Sequence, residues 1–408
     1  MDSDDSSASA SDLSDSVSSE RQRRLNKIGR LILTKEKVDL RGKLDAEDPT
    51  DEIAAVARAL ALSTTIRALD LSANEEFLSN EEVKSVADAL IKNPNSQLQE
   101  LNLCGSGSGM GFGNDDGLKL LSEALRNPNC KLRVLNLSRT YTYGYGFKHL
   151  VDSLCHVNCQ LRELNLQYNL MDTDGVERLA DALRHRNCKL LRLYLGINDI
   201  DDVDVKYLAD ALRHSKSKLQ ELHLNAILIS MEGVRHLADA ITHPDCYLHT
   251  LNLDENGRHG GIGIGPDEAR CLADAICHPS CNLNTLRLGY GRCGDAGARH
   301  LADGLRHPGC RLQVLNLAGS RISDAGAEAL AEVLRYDNHN LKTLTLDGNH
   351  DICPALVEKI ARLAQINSES VSCCDVAVGR KKRAEYGPTV DEIYGFVRSK
   401  PYLLQVSD

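Results

Sequence analysis

The pattern Leu-x-x-Leu-x-Leu, returning every 29 residues over much of the chain, constrains the fold more than any other feature. It occurs at Leu98, Leu101 and Leu103, at Leu132, Leu135 and Leu137, and at Leu161, Leu164 and Leu166. Further copies begin at Leu190, Leu219, Leu248, Leu283, Leu312 and Leu341, each with its two following leucines in register. Ile66, Leu69 and Leu71 make an earlier copy, and Val38 with Leu40 a degenerate first one. The spacing is 29 residues at every step from Leu132 to Leu248 and again from Leu283 to Leu341. A fixed period in the range of about 20–50 residues marks an array in which one supersecondary unit stacks on the next.

Each unit reads as one strand and one helix. The last two leucines of the pattern alternate with period two, so both face inward and the residues flanking them face out. Three residues beyond the strand stands an Asn in several copies (Asn74, Asn169, Asn198, Asn256, Asn349), whose amide can satisfy backbone groups left over at the strand end. Thr140 and Ser320 can do the same with a hydroxyl, whereas Ile227 and Gly291 require another device. A Gly or acidic turn then opens a helix, as at Asp174-Gly175, Asp295-Ala-Gly297 and Asp324-Ala-Gly326, where Asp suits the positive end of the helix dipole. Val176, Leu179, Ala180 and Leu183 repeat at i, i+3, i+4, i+7, an apolar stripe with a small Ala where helix and sheet lie closest. Parallel strands stack about 4.8 Å apart while helices need about 8–10 Å, so such an array curves with its sheet inside.

The repeat resembles the ribonuclease-inhibitor type of leucine-rich repeat. Copies such as GDAGARHLADGLRHPGCRLQVLNL (294–317) are similar to those in the leucine-rich repeat domains of nucleotide-binding innate immune receptors. The likeness spans about Val38 to Ile366. It implies an α/β leucine-rich repeat solenoid, a horseshoe of about 11 strand-helix units with a parallel sheet on the concave face and helices on the convex face. It also implies a non-catalytic module that binds a protein partner. No Walker A sequence is present, so the nucleotide-binding module of those receptors is absent from this sequence.

Composition agrees. Aromatics make up 4% of 408 residues and Trp is absent, which suits a core of layered Leu and Ala. A net charge of −10 argues against a nucleic-acid partner, since nothing neutralises phosphates over a broad face. Residues 1–20 lack the apolar run of a signal peptide, and no stretch reaches the roughly 18 apolar residues of a membrane span. The expected setting is therefore cytoplasmic, with no membrane partner. The run Arg380-Lys-Lys-Arg383 leaves a nuclear location open, although solvated surface accounts for it better.

Three segments follow from these patterns. Residues 1–24, Ser/Asp-rich and acidic, are expected to be a disordered tail; 25–366 the repeat domain; 367–408 a C-terminal cap and tail, with a helix over Thr389–Ser399. Glycine-rich insertions at Gly105–Gly113 and Gly257–Gly265 break the period but lack a phosphate-binding spacing. Gly289-Tyr-Gly-Arg-Cys-Gly294 has the spacing of a dinucleotide loop, yet occupies the ordinary turn of a 29-residue repeat.

Metal and catalytic chemistry read poorly. His-x-x-Cys recurs at His156/Cys159, His185/Cys188, His243/Cys246, His278/Cys281 and His307/Cys310, always at one phase of the repeat. A zinc site gathers its ligands at one point, whereas these spread along the array. Buried cysteine with a turn histidine is the better account, and no metal or cofactor is expected. The alternative function is GTPase activation, because the Ran GTPase-activating proteins are built from similar repeats; Arg139 is the candidate arginine.

The candidate partner site lies on the concave face. Asn is the commonest midline residue there, whereas the repeats starting at Leu161, Leu190 and Leu219 present Glu163, Tyr168, Arg192, Tyr194, Glu221 and His223. Tyr and Arg are the types enriched at binding hot spots.

Overall fold

A computed structural model describes residues 10–44, 50–72, 79–105, 116–140, 144–169, 171–256, 263–335, 339–368 and 375–377. The chain divides into two compact units, Met1–Leu164 and Asn165–Asp408. The first alternates α1 (Ala10–Thr34), β1 (Lys37–Asp39), α2 (Thr50–Leu60), β2 (Ala68–Asp70) and α3 (Asn80–Lys92). It continues with β3 (Glu100–Asn102), α4 (Asp116–Arg126), β4 (Val134–Asn136) and α5 (Gly144–Leu154). Strand β5 (Glu163–Asn165) carries the chain from one unit into the next.

The second unit opens with α6 (Thr173–Leu183), β6 (Arg192–Tyr194), α7 (Asp202–Leu212), β7 (Glu221–His223) and α8 (Met231–Ile241). There follow β8 (Thr250–Asn252), α9 (Pro266–Ile276), β9 (Thr285–Arg287), α10 (Gly294–Arg306) and β10 (Val314–Asn316). It ends with α11 (Asp324–Val333), β11 (Thr343–Thr345), α12 (Pro354–Ser368) and β12 (Asp375–Ala377). In each unit the strands pair parallel and in sequence order, leucine opposite leucine: Leu69 with Leu101 and Leu135, Leu193 with Leu222, Leu251, Leu286, Leu315 and Leu344. Those leucines are at most 2% exposed, and the helices close over them with Leu179, Leu208, Leu237, Leu272 and Leu301, all at 0%. The sheet-facing Ala209 and Ala302 are equally buried, as a small residue at the closest approach requires. This is the expected leucine-rich repeat solenoid of strand-helix units.

The Asn column works as its chemistry requires. Asn198 Nδ2 donates to Leu166 O and Leu195 O (3.0 and 2.8 Å), and Asn256 Nδ2 to Leu224 O and Leu253 O (2.9 and 3.1 Å), each amide stapling its own repeat to the preceding one. The Ser320 hydroxyl substitutes, donating to Leu288 O at 3.0 Å, and the Thr140 hydroxyl donates to its own Leu137 O. At Ile227, which has no side-chain donor, the turn is held by its own N–H on Asn256 Oδ1 at 2.7 Å. Asn74 lies outside the described residues.

The residue before this column adopts a left-handed conformation at Arg139, Tyr168, Ile197, Ala226, Glu255 and Tyr290, with φ between 52° and 63°. In the second unit that conformation aims the N–H at the next repeat, as in Ile197 N–H to Asn225 O (2.9 Å) and Ala226 N–H to Asp254 O (2.9 Å).

The His-x-x-Cys segments are turns. Each His Nδ1 accepts the backbone N–H two residues on, from Asn158, Asn187, Asp245, Ser280 and Gly309, at 3.1–3.3 Å. Each Cys N–H donates to the His carbonyl, and each Cys side chain is 1–3% exposed.

Helix starts are linked from repeat to repeat. Asp202, in the first turn of α7, accepts the N–H groups of Ser230 and Gly233 at the start of α8 (2.8 and 3.1 Å). Asp295 of α10 does the same for Ser323 and Gly326 of α11, Asn80 of α3 for Gly117 of α4, and Asp324 of α11 for Cys353 before α12. A Cβ at Gly233 would stand 2.4 Å from Asp202 Oδ1, so glycine there admits the carboxylate. These caps satisfy N–H groups that every helix leaves open at its start.

Two elements cross the expected segment boundaries. Helix α1 begins at Ala10, within the stretch expected to be a disordered tail, and residues 1–9 lie outside the described residues. Arg21 pairs with Asp51 at 2.9 Å and Arg24 with Glu52, in the acidic first turn of α2, while Ile28 and Ile32 are buried. The strand array also runs beyond 366, since β12 pairs with β11. The expected helix over 389–399 and the basic run 380–383 lie outside the described residues.

Candidate strand-face site

Residues before and after each inward leucine stand on the outer face of the sheet, and in the second unit they form a polar network from β6 to β10. Arg192 is opposite Glu221, and Tyr194 opposite His223. The Tyr194 and His223 rings stack with centroids 4.2 Å apart and planes 25° from parallel. His223 Nδ1 is 3.2 Å from Asn252 Nδ2 on the next strand. Asn252 Oδ1 accepts the Asp254 N–H at 2.9 Å, which turns Nδ2 toward the histidine as donor. The imidazole is therefore the Nε2–H tautomer. Burial, with the Arg287 charge as a second cause, lowers the His223 pKa from 6.5 to about 4, so the ring is neutral near pH 7.

Asp254 is the hub of the other half. Its carboxylate receives Arg287 Nε at 2.7 Å, the Gly289 N–H at 2.7 Å, and Asn316 Nδ2 at 3.0 and 3.2 Å. Burial pushes its pKa up, opposed by Arg287 and these donors. On the same register row Gln167 Nε2 reaches Asn225 Oδ1, two repeats on, at 2.9 Å.

Of the expected site residues, Arg192, Tyr194, Glu221 and His223 come together on β6 and β7, all partly exposed. Tyr168 stands past β5 at a left-handed turn, not on a strand. Glu163 belongs to the first unit and is half-buried on β5. Arg139 occupies the left-handed position after β4, so its place answers to the turn. Asp254 was not among the expected residues. The available signal was its register row, where an acid is followed by Gly289, too small to fill the space that the carboxylate takes.

The loop at Gly289–Gly294 directs its N–H groups inward: Gly289 to Asp254, Tyr290 to Ala318 O, Arg292 to Ile264 O and Gly294 to Ser320 O. Four of its N–H groups are thus engaged within the protein and not turned toward a phosphate. Burial raises the thiol pKa of Cys246, Cys277 and Cys293 to about 11. Among the described residues, no group of three or more His, Cys, Asp or Glu side chains could hold a metal ion, and no helix is long and apolar enough to cross a membrane.

A family model described as Leucine Rich repeat matches residues 157–180, 186–209 and 310–331. No curated protein matches the sequence. Among solved structures, the leucine-rich repeat-containing protein LegL7 from Legionella pneumophila is similar at 19% identity and TM-score 0.51, covering 82% of this chain and 98% of that one. A chain in the yeast Rad7–Elc1 complex is similar at 15% identity and TM-score 0.50, covering 95% and 98%. At these identities the likeness is one of fold.

Proposed function

This chain is a leucine-rich repeat protein, and on that premise we propose that it is a non-catalytic module binding a protein partner through the strand face of its second unit. The observation that carries this reading is the cluster on β6 and β7: Tyr194 stacked on His223, with Arg192 and Glu221 paired in register beside them. Neighbouring strands hold the cluster, so little side-chain freedom is lost when a partner docks. The helix face instead carries exposed charges such as Arg178 and Asp181, already paired with Asp174 and Arg184, poor anchors because a partner would have to desolvate those pairs. A protein partner agrees with the yeast neighbour, whose structure is that of a two-protein complex.

Affinity capture followed by mass spectrometry supplies the partner, and titration tests the site. The double substitution Arg192→Ala and Tyr194→Ala is expected to weaken binding by at least about 2 kcal/mol. Arg178→Ala with Asp181→Ala, on the helices, is expected to change it by less than about 0.5 kcal/mol. The reverse order of effects, in variants with unchanged circular dichroism, rules the strand face out.

A further inference from the structure

We propose that Glu221 and His223 seat a basic side chain from an extended segment of the partner, a main-chain carbonyl of that segment accepting the His223 Nε2–H. This rests on the strand-face reading above and names the chemistry that the face selects.

Two groups on β7 bear on such a ligand. His223 Nε2 is buried and has no hydrogen-bond partner among the described residues. Asn252 fixes the ring so that this nitrogen carries the proton, and the nearest carboxylate oxygen, Glu221 Oε2, is 3.8 Å away, beyond hydrogen-bond reach. A buried donor left unmade is costly, and native proteins rarely leave one without a purpose. The second group is Glu221 itself. Its side chain is 33% exposed, and among the described residues its only ion-pair neighbour is His223, which is neutral at pH 7.

The surroundings select the sign of the ligand. Asp254 is closed off by Arg287, Gly289 and Asn316, whereas Glu221 is the carboxylate that β6 and β7 offer to an incoming cation. Neutral His223 adds no repulsion, and the Tyr194 ring beside it is a favourable neighbour for an ammonium or guanidinium. A chain of net charge −10 also draws basic partners at long range. Cation and carbonyl acceptor together describe a basic peptide in extended form.

The test uses two labelled peptides, acetyl-(Gly-Arg)4-amide and acetyl-(Gly-Glu)4-amide, titrated into the full chain by fluorescence anisotropy. The arginine peptide is expected to bind, with Glu221→Gln weakening it about tenfold, the equivalent of one lost charged contact. Asp181→Asn on the helix face is expected to weaken it less than about twofold. The His223 Nε2 nitrogen resonance should move on binding, as a new acceptor requires. Equal losses in Glu221→Gln and Asp181→Asn would show diffuse attraction and overturn the proposal. So would an unmoved His223 resonance, or a glutamate peptide that binds as well. If the peptide fails while the Arg192/Tyr194 variant still loses the captured partner, only the basic-segment inference falls.

Discussion

Asn316 reaches back past Gly289 to the carboxylate of Asp254, two repeats earlier, at 3.0 and 3.2 Å. A Cβ on residue 289 would stand 2.9 Å from Asn316 Nδ2 and 3.0 Å from Asp254 Oδ1, so the bridge exists because that position is bare. Gly289→Ala is therefore expected to destabilise the second unit by about 1–3 kcal/mol, the range for forcing a methyl into a filled site. The midpoint of urea unfolding reads this directly, and an unchanged midpoint would mean that the bridge is slack.

His223 makes stability depend on pH. Its folded pKa of about 4 lies below its ordinary 6.5, so the folded state favours the neutral ring and protonation favours unfolding. The contribution is complete above pH 6.5 and is lost as pH falls from there toward 4. At about 1.36 kcal/mol per pKa unit, the loss is on the order of 3 kcal/mol. His223→Phe should flatten the stability profile by that amount between pH 7 and pH 4, relative to the parent chain. Parallel profiles would contradict the assignment.

Asp202 belongs to α7 but caps α8. Asp202→Ala should cost about 1–2 kcal/mol, as cap removal does, with faster amide exchange at Ser230 and Gly233 and little change in the first turn of α7. That first turn has its own cap, Asp201, which accepts from Val203 and Asp204. Exchange that quickens in α7 in place of α8 would refute the assignment.

Ile197 holds φ 57°, a conformation unfavourable for a β-branched residue. Asn tolerates it, so Ile197→Asn is expected to stabilise the chain by about 1 kcal/mol, at the low end of the strain stored in such a position. A calorimetric melting temperature below that of the parent would show that the lost Ile contacts outweigh the relieved strain.

The sequence made the strands legible because their leucines alternate locally, and it made the Asn column legible because one residue type recurs at one phase. Four of the six expected site residues sit together for the same reason, since strand register follows from the period. What escaped notice joins residues far apart in sequence. The Asp254–Asn316 bridge spans 62 residues and the Asp202–Ser230 cap 28. Ser and Asp content describes residues 1–24 as an isolated segment. Arg21 and Arg24 instead meet an acidic helix start almost 30 residues on, and only the fold brings the two together.

The borrowed helix caps give the chain a direction of dependence. Asn80, Asp202, Asp295 and Asp324 each complete the helix after their own, so the first turn of each of those helices leans on what precedes it. During synthesis, the group that finishes each of these helices has left the ribosome before the helix itself. Shortening the chain from its C-terminus leaves these caps in place for the helices that remain. Shortening it from the N-terminus strands a dependent with bare N–H groups in its first turn.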